Sequence, residues 1–155
     1  MREEEKLARD VYLTMDDQWG LLVFDNISQS EQRHMDAVKQ LLDKYNLPDP
    51  VADESVLGNF VDTNLALFYE ALLIRGNESM YDALLAGAEI EEVDIIDLSL
   101  VIERTNPIHI DLVLTYESLA CGSRNHLRAF VGHIELLGDA YEPVYLSSET
   151  YNEIL

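Results

Sequence analysis

Ser30-Glu31-Gln32-Arg33-His34 lies inside a long run of helical periodicity and sets how the rest of the chain is read. Glu31 and His34 are three residues apart, so they project from one face of a helix. That face is otherwise apolar and carries Ile27, Val38, Leu41, Leu42 and Tyr45. A carboxylate and an imidazole on a buried stripe are costly unless something pairs with them. In a four-helix bundle, an inward Glu-x-x-His pair is one ligand set of a carboxylate-bridged two-metal site. The competing reading is a helix start: Ser28 followed by Glu31 fits a capping box, with Glu31 at the third helical position.

Working outward, the spacing of Leu7, Ala8, Val11, Tyr12 and Met15 predicts a first helix from about Arg2 to Trp19, stopped by Gly20. Asp25 and Asn26 are good N-caps for a second helix from about Ile27 to Tyr45. The short link makes these two antiparallel neighbours. Asn46-Leu47-Pro48-Asp49-Pro50 forbids continuation, and the connection stays irregular to about Gly58. A shorter helix follows, roughly Asn59 to Arg75. Ser79 then caps a long helix to about Arg104, and Asn106-Pro107 breaks it. The last long helix spans about Ile108 to Leu137, and Ser147 caps a short one ending at Leu155. No window alternates as a strand would. Two hairpins joined by a long crossover carrying its own helix predict an all-α chain. One long crossover is what a ferritin-like four-helix bundle has, so that arrangement is expected here, as one domain over residues 1–155.

Composition bounds the function. Thirty acidic residues against ten basic give a net charge of −20, which argues against nucleic-acid or anionic-membrane partners, since phosphate contacts need Lys and Arg. No apolar run approaches the roughly 18 residues of a membrane span, and no signal-peptide pattern is visible. The cytoplasm is the default placement. The single Cys121 excludes an internal disulfide and a thiolate cluster. It falls mid-helix, off the stripe of His126, and reads as inert. Met1 is followed at once by Arg2-Glu3-Glu4-Glu5-Lys6, with no N-cap residue ahead of the pattern. The first helix is also much shorter than the last long one. Both features suggest an upstream segment, which leaves a lost export signal open. They also predict that part of the last long helix is covered either by the tail after Gly138 or by a neighbouring copy, the second case making a homo-oligomer.

Other polar residues fall on apolar stripes. On the first helix, Glu4 and Glu5 both border the inner face. On the third long helix, Glu91 and Glu92 flank it and Asp94 is three residues from Glu91, although an acidic run is by itself compatible with a solvated face. On the last long helix, His126 aligns with Leu119, Ser123, Phe130 and Leu137, with His133 two turns on and His109 at the exposed start. Each could be a hydrogen-bonded core residue. Together, Glu31, His34, an acid of the third long helix and His126 share one explanation. Carboxylate oxygens and neutral imidazoles suit iron, with manganese or zinc as alternatives, as one or two ions.

The sequence resembles the ferritin-like superfamily, rubrerythrin-type domains in particular. Glu5, Ala8 and Tyr12 match the first-helix pattern Glu-x-x-Ala-x-x-x-Tyr, and Glu31 and His34 match the second-helix Glu-x-x-His. The fourth-helix Glu-x-x-His aligns with Ser123 and His126, so a carboxylate is missing there. Glu91, Glu92 and Asp94 match the third-helix glutamates in more than one register. The chain also resembles an uncharacterised prokaryotic ferritin-like family, domain-of-unknown-function family 2202. The recognisable segments are Glu4–Tyr12, Ile90–Ile95 and Gly122–Phe130. The resemblance implies the bundle fold and a metal site with Glu5, Glu31, His34, Glu91 or Glu92, Asp94 and His126 as ligand candidates. It implies dioxygen or peroxide as partners and iron oxidation or oxygen chemistry as the activity. With no Cys-x-x-Cys pair, the iron–sulfur module of rubrerythrins is absent. The alternative is a non-catalytic helical module with a self-satisfied polar core.

Overall fold

Gly20 carries the turn that the first hairpin needs. At φ 63° it leaves α1 (Arg2–Trp19) in the left-handed conformation, and its N–H returns to Asp16 O at 2.8 Å. The computed structural model describes residues 1–155 as six helices and their connections, with no strand. α2 spans Leu22–Lys44, α3 Thr63–Gly76, α4 Met80–Arg104, α5 Ile110–Leu136 and α6 Ser148–Ile154.

The start of α2 corrects the expectation that Asp25 or Asn26 caps it. The helix begins at Leu22, and its N-cap residue Leu21 makes no side-chain cap bond. Val23, Phe24 and Ile27 are all buried, so tertiary packing of this first turn outweighs the capping preference. Glu31 consequently sits well inside the helix, and the capping-box reading falls. Ser28 Oγ instead donates back to Asp25 O at 2.8 Å, within its own helix. α3 begins at Thr63 rather than near Asn59, where Asp62 accepts from Asn64 N at 2.8 Å. Ser147 caps α6 as expected, accepting from Thr150 N at 3.1 Å.

The chain divides into two compact units, Met1–Met80 and Tyr81–Leu155. In the first, α1 packs against α2 and α3, around Leu7, Val11, Tyr12, Met15, Phe24 and Met35. Trp19 Nε1 donates to Gly76 O at 2.9 Å and fixes the end of α3 beside the end of α1. The crossover, residues 46–62, lies along α1. Lys6 Nζ donates to Val56 O at 2.8 Å, Gly58 N donates to Asp10 Oδ2 at 3.0 Å, and Glu3 accepts from Val61 N and Asp62 N.

In the second unit, α4 and α5 approach closely at Gly87. A Cβ there would lie 2.6 Å from the Phe130 ring, so only glycine fits. The tail then returns over both helices. Tyr141, Tyr151 and Ile154 are buried, and Arg128 Nε on α5 donates to Ile154 O at 2.6 Å. The first turns of α5 stay bare, with Ile110 58% and Leu114 57% exposed. No helix is long and apolar enough to cross a membrane.

Candidate metal centre

The first hairpin brings Glu5, Glu31 and His34 together. Glu5 and Glu31 are fully buried and the His34 side chain is 12% exposed. His34 Nδ1 lies 3.0 Å from Glu5 Oε2 and 2.7 Å from Glu31 Oε2. One ligand atom from each of the three lies within 4.8 Å of the others, a spacing that could hold a metal ion. Glu4, its neighbour on α1, turns the other way: its Oε2 lies 2.6 Å from the terminal amine of Met1. Tyr12, on the same face of α1 as Glu5, is buried against Phe24 with ring centroids 6.2 Å apart.

The electrostatics of this cluster follow from its burial. Desolvation pushes the Glu5 carboxyl up to about 8. The charge of Glu31 adds to this, while the hydrogen bond from His34 acts against it. For His34, burial alone would lower the pKa, but the hydrogen bonds and charges of Glu31 and Glu5 outweigh it and raise it to about 10. At neutral pH the metal-free cluster therefore holds an imidazolium between its carboxyls, a positive charge where a cation would sit. Glu5 Oε1 is buried with no hydrogen-bond partner. Buried polar oxygens are nearly always satisfied, so this one needs an explanation. A dication bound by this set would supply it, and the donor set of two carboxylates and one imidazole fits iron, manganese or zinc.

The second unit contributes Glu91 and His126, which also offer ligand atoms to a group that could hold a metal ion. His126 Nδ1 lies 3.4 Å from Glu91 Oε2, joining α5 to α4, and both residues are buried. Ser123, one turn before His126, is fully buried and its Oγ points to Leu119 O at 3.3 Å. The hydroxyl is thus turned back to its own helix at the position where the resemblance expects a carboxylate. Asp94 is buried on α4 but joins no cluster of ligand atoms.

Glu92 has a different occupation from its neighbour Glu91. It is fully buried and accepts from Tyr141 Oη at 2.6 Å, Val144 N at 3.0 Å, Tyr145 N at 2.6 Å and Leu146 N at 2.7 Å. Its oxygens are committed to the tail, and the phenol that donates to it is driven far above the usual tyrosine range by burial and by Glu92 itself. His133 is half-buried, whereas His109 and Cys121 are exposed.

Sequence reasoning missed the other polar face of α1. Lys6 and Asp10 are fully buried and paired with each other, and Arg9 donates to Asp10 Oδ1 at 2.7 Å. The signal was available in the spacing of Lys6, Arg9 and Asp10, which share one side of a helix. Their partners, in the irregular crossover, have no periodicity to announce them.

The fold and these clusters define an all-helical protein with carboxylate–histidine groups that could hold a metal ion. The chain belongs to the family described as "Uncharacterized protein domain (DUF2202)", whose model matches residues 1–155. It is similar to "Uncharacterized protein MJ0754" of Methanocaldococcus jannaschii, with 51% identity over 155 residues covering 100% of this chain and 82% of that protein. A solved structure, "Crystal structure of hypothetical protein MJ0754 from Methanococcus jannaschii", is similar with a TM-score of 0.95 and 51% identity. It covers 99% of this chain and 86% of that one.

Proposed function

We propose that this chain is a ferritin-like metal-binding protein, in which Glu5, Glu31 and His34 hold one ion and Glu91 and His126 form a second, weaker ligand set. Iron is the favoured ion, with manganese and zinc as alternatives for the same donors. The observation that carries the reading is the sharing of one imidazole nitrogen by two buried carboxyls, at 3.0 and 2.7 Å. Arrays of this kind are expensive to bury without a cation. Bound iron or manganese would supply redox chemistry toward dioxygen or peroxide. The chain's own part is to orient the three donors, to keep bulk water out of a buried cluster, and to hold the proton on His34 until a metal displaces it.

A second reading has its own support. The proton on His34 already satisfies much of the charge in the first cluster, so a non-catalytic module with a self-satisfied polar core accounts for it too. Metal content separates the two. Protein purified without chelator, then loaded with ferrous iron and desalted, should retain close to one ion or more per chain by plasma emission. No retained iron, manganese or zinc under any loading condition would establish the structural module instead.

A further inference from the structure

One loop carboxylate touches both helices of the first ligand set. Glu54 Oε1 pairs with Arg2 of α1, its Oε2 accepts from Gln32 Nε2 of α2 at 3.1 Å, and its backbone O accepts from Arg9 Nη2 at 2.6 Å. Arg9 Nη1 also donates to Gln32 Oε1, and Arg2 Nε reaches Asp49 at 3.2 Å. The residues so tied flank the ligands. Arg2 and Arg9 stand three before and four after Glu5, so by helical spacing they lie one turn to either side of it. Gln32 directly follows Glu31.

The arrangement serves folding, because the Arg2 side chain is only 2% exposed and a buried charge needs a partner, while Glu54 at 36% exposed keeps part of its hydration. Ligand geometry is sensitive as well: workable metal–donor distances hold within about 0.2 Å. A small change in the spacing of α1 and α2 would alter the 3.0 Å gap between Glu5 and His34 directly.

We propose that the crossover segment 49–62 is a positioning clamp for the first ligand set, with Glu54 as its central residue, and that docking of this segment is coupled to metal occupancy. The proposal rests on the metal-binding reading above. Glu54 is a positioning residue: it acts through Arg2, Arg9 and Gln32, which hold α1 and α2 at the separation that the ligands need. Because coupling is reciprocal, a metal that favours the held geometry also holds the crossover down. Its carboxyl lies below the usual range, chiefly through the bond from Arg2, so it stays ionised throughout neutral pH.

Cobalt(II) is the probe, because its visible bands report coordination geometry. Titrations would compare the unmodified chain, Glu54→Ala, Gln32→Ala and, as a control that removes a hydrogen-bonded pair outside the clamp, Asp43→Ala, which leaves Lys39 of the exposed Lys39–Asp43 pair in place. Glu54→Ala is expected to weaken cobalt binding by less than the roughly 10-fold that loss of a direct hydrogen-bond partner of a ligand costs, and to shift the bands. Gln32→Ala should act in the same direction by less, and serves as the deciding variant if Glu54→Ala loses helix content. In the unmodified chain, cobalt should slow amide exchange of Gly58, Val61 and Asp62. Cobalt bound by both variants with unchanged affinity, bands and exchange would overturn the clamp and leave the metal reading intact. No cobalt bound by the unmodified chain would overturn the reading and the clamp with it.

Discussion

The two units handle the same pair of residue types differently. In Met1–Met80, one imidazole nitrogen meets two buried carboxyls that arrive from two helices. In Tyr81–Leu155, His126 stands 3.4 Å from Glu91, with a buried serine one turn back. The first arrangement concentrates charge until a proton or a metal must be held. The second leaves its carboxylate and imidazole in looser contact. The difference teaches how much the local spacing decides: α2 presents a Glu-x-x-His pair on one face, whereas α5 has Ser123 where that carboxylate would stand and His126 meets a carboxylate from α4 instead. In the first unit Glu5 from α1 adds a second carboxyl at the same imidazole nitrogen, 3.0 Å away.

The largest test of that contrast is removal of each histidine. His34→Ala should abolish most of the iron retained after loading, while His126→Ala should remove the smaller share, as read by metal content per chain. Equal losses would erase the distinction between strong and weak sets. Next in size, Ser123→Glu should raise retained metal by completing the second set. The inserted side chain overfills a packed site, so the chelated variant should unfold at lower temperature, with a cost of about 1–3 kcal/mol. A variant that is destabilised with no gain in metal would show that His126 serves only the core.

A smaller effect concerns pH. In the folded, metal-free chain, His34 keeps a proton from its ordinary 6.5 up to about 10, and Glu5 keeps one from its ordinary 4.5 up to about 8. The unfolded chain has released both in those windows, so folding binds protons and stability falls as pH rises. Melting temperatures of chelated protein should therefore decline between pH 6.5 and 10, and Glu5→Gln should flatten the lower part of that slope. A chelated protein whose melting temperature is constant across this range would contradict the shared-proton description. The smallest effect on metal belongs to Glu92→Gln. It should leave iron retention unchanged while costing about 1–3 kcal/mol, because one oxygen of an acceptor cluster becomes a donor facing backbone N–H groups. A loss of metal there would move Glu92 back among the ligands.

Much of this was legible in the sequence, for local reasons. Gly20 ends α1, and the three-residue spacing of Glu31 and His34 puts both on one face whatever the tertiary context. The start of α2 was not legible, because Asp25 and Asn26 advertise caps while the burial of Val23, Phe24 and Ile27 extends the helix past them. Glu91 and Glu92 could not be told apart either. Both are buried, and what separates them is the tail at Tyr141–Leu146, far away in sequence. Arg2, Lys6 and Arg9 look like ordinary solvated helix residues until the crossover is folded onto them.

Glu92 also works as a ruler. Three successive amide hydrogens, from Val144, Tyr145 and Leu146, converge on its two oxygens while the hydroxyl of Tyr141 arrives from the same stretch of tail. Such convergence counts residues: one inserted or deleted between Tyr141 and Leu146 would bring the wrong amides to the carboxylate and shift the Ser147 cap out of place. The tail is therefore intolerant of length change over this stretch, however freely its exposed side chains, such as Glu142 and Val144, are exchanged.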